Sequence, residues 1–226
     1  EIINNGNKVE VINGAFTSGA SGNRNWILDG TNTGDNRITG SISNGSGNSV
    51  GITKEGSGKW ILDNTNNTMN GTISVSRGYL EMAGGSSIGD DALVNVTNAG
   101  SDGSSVGGST FRLRSSETIG GLAGTIGSNV TLDTGVLTVR NASQTFAGVM
   151  TGAAGITRTN NDGNARVSTF TNRNTYSGVT SILTSGSAVQ GNRIDVLSLD
   201  NGGVASGIGN SSNAASNLVI NTVTGN

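Results

Sequence analysis

The sequence predicts an all-β protein, a right-handed parallel β-helix (β-solenoid) that forms a single elongated rod of roughly ten coils. Three observations predict this fold. Short apolar runs alternate with polar residues along most of the chain. Gly, Asn, Ser and Thr take the place of the charged and aromatic residues that an ordinary globular domain contains. Short stretches of sequence also recur, which is typical of repeat architectures.

The apolar residues follow the period of two that a β-strand requires. In KWILD, Trp60 and Leu62 share one face of a strand, and Ile61 shares the other face with Asp63. In VTLDTGVLTV, Leu132 is expected to point inward, whereas Val136 and Leu137 are alternatives because a glycine interrupts the pattern. No window has a sustained helical stripe with caps, so we expect almost no helix.

The amino-acid composition supports the solenoid and excludes several classes of function. The chain of 226 residues has 38 Gly and no Pro, and a Pro inside a stacked ladder would remove a backbone donor. The net charge is −2 without a basic cluster, so nucleic acid is not an expected partner. The apolar runs are too short for membrane insertion of this chain. The absence of Cys and His excludes His-based triads, thiol nucleophiles and His/Cys zinc sites.

Three pairs of segments resemble each other. WILDGTNTG begins at Trp26 and WILDNTNNT begins at Trp60, whereas GITKEGSGK and GITRTNNDGNAR begin at Gly51 and Gly155. NNTMNGTISV and RNTYSGVTSI form the third pair. Unequal spacing favours a solenoid with loop insertions, with roughly 20–25 residues per coil. At about 4.8 Å per coil the rod would be about 50 Å long.

We therefore interpret residues 1–226 as one solenoid domain. Residues 1–25 form an N-terminal strand or cap region, residues 26–200 form the repeat coils, and residues 201–226 form a C-terminal strand or cap region. Asn and Thr side chains at the bends are expected to form ladders from coil to coil.

The segment GITKEGSGKWILDNTNNTMNGTISVSRGYLEM resembles the autotransporter-associated β-strand repeat, the passenger-associated repeat of bacterial autotransporters. The resemblance is clearest over residues 51–89 and 118–183. The matching positions are Gly51, Ile52, Thr53, Lys54, Gly56, Ser57 and Gly58, with Asn174, Thr175, Tyr176, Ser177 and Gly178 in the later copy. The resemblance implies a β-helical protein that is extracellular or displayed on a bacterial cell surface. It implies no particular activity, because the repeat is a scaffold.

Few residues of the sequence are candidates for catalysis or metal binding. Asp90 and Asp91 are compatible with a calcium site or an acid pair, but also with a solvated bend. LDNGGVASG, which begins at Leu199, faintly resembles a calcium-binding β-roll, but its pattern is not repeated. A polysaccharide-cleaving β-helix enzyme is a further alternative, with a candidate set of scattered residues: Asp133, Asp195, Asp200 and Arg140. Because these acids are not clustered, we expect no enzyme, cofactor or metal.

Several side chains have alternative interpretations as binding residues. Arg112 and Arg114 share one strand face and would either grip an anionic glycan or form a solvent face opposite Phe111 and Leu113. Trp26 and Trp60 would be sugar-stacking platforms if exposed, but the pattern favours core positions. Ile27 and Ile61 would then point outward and would mark a lateral contact.

The two ends of the predicted solenoid lead to the functional hypothesis. Neither terminal segment has an obvious cap, and uncapped strand edges pair readily with other chains. We expect a non-enzymatic structural protein that forms a homo-oligomer or filament through its ends and supports adhesion or biofilm. The alternative is an adhesin that binds a glycan or cell-surface ligand as a monomeric rod. The candidate contact residues are Ile2, Ile3, Val9, Val11, Ile27, Ile61, Leu218, Ile220 and Val223.

Overall fold

The structure of the chain is a computed structural model. It describes residues 1–18, 22–98, 108–183, 192–212 and 214–221. Within them the protein is all-β, and its only helical element is a single 3₁₀ turn. The predicted β-solenoid is confirmed, and its strands coil around one hydrophobic core. The predicted right-handedness stays a prediction.

The strands follow one another around the coils in chain order. The first four coils contain β1 (Ile2–Ile3), β2 (Val11–Ile12), β3 (Phe16–Thr17), β4 (Arg24–Asp29), β5 (Asn36–Ile38), β6 (Ile42–Ser43), β7 (Val50–Lys54), β8 (Lys59–Leu62), β9 (Ile73–Val75) and β10 (Tyr79–Met82). The next three contain β11 (Leu93–Val96), β12 (Thr110–Leu113), β13 (Glu117–Ile119), β14 (Gly121–Gly124), β15 (Asn129–Leu132), β16 (Leu137–Val139), β17 (Gln144–Phe146), β18 (Val149–Gly152) and β19 (Ile156–Arg158). The remainder contains β20 (Arg166–Phe170), β21 (Thr180–Leu183), β22 (Asn192–Val196), the 3₁₀ helix Ala215–Asn217 and β23 (Leu218–Asn221).

Stacking of the coils produces parallel sheets. The first sheet has nine strands in the order β1-β4-β7-β9-β11-β14-β17-β20-β22. The second sheet has seven strands in the order β2-β5-β8-β10-β12-β15-β18. The third sheet has five strands, β13-β16-β19-β21-β23, and the pair β3-β6 precedes it in the first coils. Each of these pairings is parallel, so successive coils lie in register.

The number of coils is smaller than predicted. Seven coils contribute a strand to both the first and the second sheet, and two more contribute their named strands to the first and third sheets. The expected ten coils were too many because some coils carry long loops. Ile52 pairs with Ile73, 21 residues later, but Leu93 pairs with Gly121, 28 residues later.

The recurring segments do not occupy equivalent positions in the solenoid. Trp26 lies in β4 of the first sheet and pairs with Ile52, whereas Trp60 lies in β8 of the second sheet and pairs with Leu80. The two WILD copies therefore occupy different places in the coil. The other two pairs of copies are likewise divided between the first and third sheets. A repeated strand sequence fits any of the sheets because each needs the same inward alternation.

Asparagine side chains connect consecutive coils at the bends. Asn67 accepts a hydrogen bond from the Ile42 N–H at 2.7 Å and donates to the Ser87 carbonyl at 2.5 Å. Asn174, its counterpart in the later copy, accepts from the Met150 N–H at 2.8 Å and donates to the Gly207 carbonyl at 2.9 Å. Each amide thus satisfies a backbone group of the preceding coil and one of the following coil.

The predicted side-chain ladder occurs locally. The Asn44 amide donates to the Asn70 side-chain oxygen in the next coil at 2.8 Å. Tight stacking of the bends also requires glycine at Gly78, whose φ of 66° lies in the left-handed region. A Cβ at Gly78 would approach the carbonyl oxygens of Gly56 and Gly58 to 2.5 Å. These glycines therefore fix the close approach of one bend to the next.

Both basic residues of the GITK and GITR copies lie inside the solenoid. Lys54 is fully buried between Leu28 and Val75 in the ladder, and its ammonium donates to the carbonyls of Glu55, Gly56 and Arg77. Burial lowers the pKa of Lys54 to about 8. Arg158 is also fully buried and donates to the Val139 carbonyl at 3.0 Å. The two cations thus bind backbone carbonyls of the scaffold and are not displayed to a ligand.

Candidate assembly surfaces

The N-terminal coil leaves the core open. Ile2, Ile12 and Phe16 occupy the inward rows of their strands but are only half-buried. Their partners in the second coil, Leu28, Ile38 and Ile42, are at most 2% exposed. The loss of burial in the first coil follows directly from the absence of a covering strand within the described part of the chain.

The outer edge of β2 presents free backbone groups. The Arg37 N–H donates to the Glu10 carbonyl at 2.8 Å, and the Thr39 N–H donates to the Ile12 carbonyl at 2.9 Å. In a parallel ladder, successive residues of a strand direct their backbone groups to opposite sides. The amide and carbonyl of Val11 therefore face away from the second coil and are available to another strand.

Exposed apolar side chains also lie on the first coil. Ile3, Val9 and Val11 are 53%, 50% and 51% exposed. Ile2, Ile3, Val9 and Val11 were all candidate contact residues, and the fold brings them together in the first coil. An exposed strand edge with apolar side chains is a surface on which another strand readily pairs.

The C-terminal end is covered in part. The Asn174–Ser177 segment continues the second sheet beyond β18, because the N–H groups of Thr175 and Ser177 donate to the carbonyls of Met150 and Gly152. Residues 206–210 cover this segment in turn: Asn174 exchanges backbone hydrogen bonds with Ser206, and the Asn210 N–H donates to the Tyr176 carbonyl. The expectation of an uncapped C-terminal end is therefore wrong for the second sheet.

The first and third sheets end in open strands. Among the described residues, β22 pairs only with β20, and β23 pairs only with β21. Leu218 and Ile220 lie in the inward rows of the third sheet, opposite Thr180 and Ile182, yet they are 39% and 63% exposed. Val223 lies outside the described residues. This second open edge thus contains two of the candidate contact residues.

Sequence reasoning missed three exposed apolar residues near this end. Leu197 and Leu199 are 73% and 67% exposed, and Val204 is 49% exposed. The alternation in DVLSLD was visible in the sequence, but it did not show that no strand among the described residues covers these side chains.

The two isoleucines proposed as lateral contacts differ. Ile27 points outward from β4 and is half-buried, as expected for an outer-face residue. Ile61 is fully buried although it also points away from the solenoid interior, so the expectation that it is exposed is wrong. Its neighbours in the ladder are Arg37 and Glu81, and charged side chains cover this part of the outer face.

An ion-pair network extends along the outer face of the second sheet. Glu81 is 1% exposed and accepts from Arg114 at 3.0 Å and from Arg112 at 3.5 Å. Arg112 also donates from Nε to Asp133 at 2.7 Å. Arg112 and Arg114 share one face opposite the buried Phe111 and Leu113, as predicted. Because both guanidinium groups already bind Glu81, they are not free anion receptors.

The remaining charged candidates are also paired within the chain. Arg140 contacts Asp90 at 3.2 Å and Asp91 at 3.1 Å. Asp195 pairs with Arg193 and Asp200 pairs with Arg173. In the described ranges, no group of three or more acidic residues is arranged to hold a metal. The acids considered for catalysis thus stay scattered, and each has a basic partner.

Glu117 is a buried carboxylate that sequence reasoning did not single out. It lies in an inward row of the third sheet, in register with Leu137, and is 2% exposed. The Ser87 N–H donates to its Oε2 at 2.7 Å, and no basic side chain of the described chain forms an ion pair with it. Burial raises the pKa of Glu117 to about 7.

The two tryptophans occupy different environments. Trp60 is 1% exposed, and its indole N–H donates to the Asp29 carbonyl at 3.0 Å. Trp26 is half-buried and packs edge-to-face against Phe16, with ring centroids 5.0 Å apart. The core interpretation is confirmed for Trp60, and Trp26 packs against the core from the open N-terminal coil.

Comparisons with known proteins do not identify a relative. No family model matches the chain, and neither curated proteins nor solved structures give a match. The described residues contain no helix long and apolar enough to cross a bilayer. The resemblance to the autotransporter-associated repeat therefore rests on the matching residues alone and stays a prediction.

Proposed function

We propose that this protein is a non-enzymatic β-solenoid that self-assembles head to tail into a fibre or surface layer. The observation that carries the proposal is the pair of open strand edges at opposite ends of the stack. Among the described residues, each edge combines strands that lack a second partner with exposed apolar side chains, Val11 at one end and Ile220 at the other. A second copy would continue the parallel ladders of the first and third sheets and would place β2 against the covering segment 206–210.

Contact between two different ends is heterologous. Such a contact does not close on itself when the subunits are related by translation and rotation along the solenoid axis, so it propagates into a filament. We further propose an extracellular or cell-surface location and a role in adhesion or biofilm. Support comes from the low charge, the Gly, Asn, Ser and Thr content, and the resemblance to surface-displayed repeats.

Electron microscopy of the purified chain over a range of concentrations tests the proposal. We expect filaments with an axial repeat of about 40 Å, because nine stacked strands at about 4.8 Å give this length. Single short rods at every concentration would overturn the proposal.

Two end variants and a control make the test specific. Val11→Lys places a charge on the N-terminal edge, and Ile220→Lys places one on the C-terminal edge. Ile126→Lys is the control, because Ile126 is 79% exposed but follows β14 in the middle of the stack. We expect each end variant to prevent filaments and the control to form them normally.

Mixing the two end variants tests the head-to-tail geometry. Val11→Lys keeps an intact C-terminal edge, and Ile220→Lys keeps an intact N-terminal edge. An equimolar mixture should form dimers and stop there, as measured by analytical ultracentrifugation. Filaments in the mixture, or dimers of either variant alone, would contradict a head-to-tail contact.

A further inference from the structure

The outer face of the first sheet carries two adjacent columns of small neutral side chains. We call this surface, over the coils that contain β9, β11, β14, β17 and β20, the hydroxyl face. The first column is Ser74, Asn95, Ala123, Thr145 and Thr169, and the second column is Ser76, Thr97, Thr125, Ala147 and Thr171. None of these ten positions is charged, and seven are Ser or Thr.

The register of the ladder keeps these columns straight. Ser74 pairs with Asn95, Asn95 pairs with Ala123, and Thr145 pairs with Thr169. Between β14 and β17 the ladder has a single pair, Gly124 with Phe146, and Ala123 and Thr145 are the residues that precede this pair on the two strands. In the second column, the N–H groups of Thr97, Thr125, Ala147 and Thr171 each donate to a carbonyl of the preceding strand. The face therefore carries one row of side chains per coil, with its least regular step between β14 and β17.

The hydroxyl face has a depression at β17 and β20. It is lined by Ser143, Gln144, Thr145, Val167 and Thr169, and its volume is about 340 Å³. The lining contains hydroxyl groups, which both donate and accept hydrogen bonds, and one aliphatic side chain, whereas Gln144 lies in the inward row of β17. The lining contains no charged side chain.

The polar groups of the depression are available to a ligand. The side chains of Thr145 and Thr169 make no hydrogen bond with the part of the chain that the structure describes. Ser143 accepts a hydrogen bond from the Val167 N–H at 3.1 Å, which keeps its hydroxyl hydrogen free to donate. Unoccupied donors and acceptors on a rigid strand surface bind a ligand without a large ordering cost.

We propose that the hydroxyl face binds a neutral linear glycan that lies along the solenoid axis. The coils are about 4.8 Å apart, which is close to the length that one sugar unit adds to an extended β-1,4-linked chain. Consecutive sugar units would thus meet equivalent side chains in consecutive coils. Within these five coils the face offers no cation to an anionic polysaccharide, whose carboxylates would lose hydration on binding. In the next coil Arg193 lies in register with Val167, but it is paired with Asp195.

The other two outer faces fit this ligand less well. The outer face of the second sheet is occupied by the Glu81–Arg112–Asp133 network. The third sheet has one hydroxyl column, Thr118, Thr138, Thr157 and Ser181, and no matching second column, because Arg140 and Leu183 lie beside it. This single column provides a matched control surface.

Isothermal titration calorimetry with defined oligosaccharides tests the proposal. The probes are cellohexaose, chitohexaose and mannohexaose as neutral β-1,4-linked chains, cellobiose as a short chain, and hexagalacturonate as an anionic chain. We expect at least one neutral hexasaccharide to bind, and cellobiose to bind at least tenfold more weakly than cellohexaose if the latter is the ligand, because contacts in successive coils add.

Two matched variants locate the binding surface. Thr169→Lys places a long cation in the depression, and Thr157→Lys makes the same change on the control column of the third sheet. Thr169→Lys should weaken binding of the neutral hexasaccharide at least tenfold, whereas Thr157→Lys should change it less than twofold. Circular dichroism spectra would establish that both variants keep the solenoid.

Three outcomes would overturn the proposal. The first is no binding of any neutral hexasaccharide, and the second is equal losses in the two variants. The third is that Thr169→Lys abolishes self-association of the chain and leaves glycan binding unchanged. The face would then be a contact between copies of this chain. Because the titration uses the non-assembling Val11→Lys chain as background, failure here is independent of head-to-tail assembly.

Discussion

The sequence WILD occurs once in strand β4 of the first sheet and once from strand β8 of the second sheet, but its side chains are buried to different extents in the two places. In β8 both faces are covered: Trp60 lies in the core, and Ile61 lies under charged side chains. In β4 the inner Trp26 is half-buried next to the open N-terminal coil, and the outer Ile27 is half-exposed. Identical local sequence thus yields a strand in both places, but its neighbours decide how much surface is buried.

The largest effect is expected at the tryptophans. Trp60→Ala should lower the free energy of unfolding by about 3–5 kcal/mol, because it leaves a cavity in the core. It also leaves the Asp29 carbonyl without the indole donor. Trp26→Ala should cost about 1–2 kcal/mol, because the side chain is only half-buried. Urea denaturation at neutral pH measures both, and equal losses would show that the two copies have the same environment.

The outer-face isoleucines extend the comparison. Ile61→Ala should cost about 2–4 kcal/mol, as for a core aliphatic residue, although it points away from the solenoid axis. Ile27→Ala should cost about 1 kcal/mol or less, because water already reaches this side chain. Thermal unfolding of the two variants side by side provides the measurement. A small loss of stability in Ile61→Ala would mean that the charged side chains over Ile61 move aside readily.

Substitution of the two buried glutamates, Glu81 and Glu117, should change the free energy of unfolding in opposite directions. Glu81→Gln should cost about 1–2 kcal/mol at pH 8, because Arg112 and Arg114 lose a buried partner while staying partly hydrated. Glu117→Gln should do the opposite and stabilise the fold by up to about 3 kcal/mol at pH 8. The amide oxygen that this substitution introduces would still accept the hydrogen bond from the Ser87 N–H.

The direction in which Glu117 changes the stability with pH follows from its raised pKa. The folded protein holds the proton up to a pKa of about 7, whereas the unfolded chain releases it near 4.5. The contribution of Glu117 to stability is therefore complete below pH 4.5 and is lost as the pH rises through 7. Urea midpoints across this range should fall more steeply in the wild type than in Glu117→Gln. Parallel curves for the two proteins would contradict the assignment.

The smallest effect is expected at the aspartates that end the two copies. Asp63 contacts Arg37 at 2.6 Å on a partly exposed surface, so Asp63→Asn should cost well under about 1 kcal/mol and less still in roughly 1 M salt. Asp29 accepts the Gly30 N–H at 2.6 Å, and Asn can accept the same bond. Asp29→Asn also removes a negative charge that favours the buried Lys54 ammonium, so it should cost about 1 kcal/mol or less, as judged by urea midpoints. Because Lys54 is buried, this loss should depend less on salt than the loss at Asp63, and an equal salt dependence would contradict the interaction.

The sequence by itself determined the strand content and the stacked architecture. Alternation placed Trp60, Leu62, Phe111, Leu113 and Leu132 in the core, and abundant glycine without proline predicted tight bends between uninterrupted ladders. These features were readable because strand periodicity and bend chemistry act over a few neighbouring residues.

The tertiary structure alone decided which sheet each strand joins and what covers it. Coil lengths vary with their loops, so the 34 residues between Trp26 and Trp60 carry one copy into a different sheet. The burial of Ile61, the pairing of Arg112 with Glu81, and the alignment of Thr145 with Thr169 all depend on residues that lie one coil away. Such register is set by the closure of every coil, which no local pattern contains.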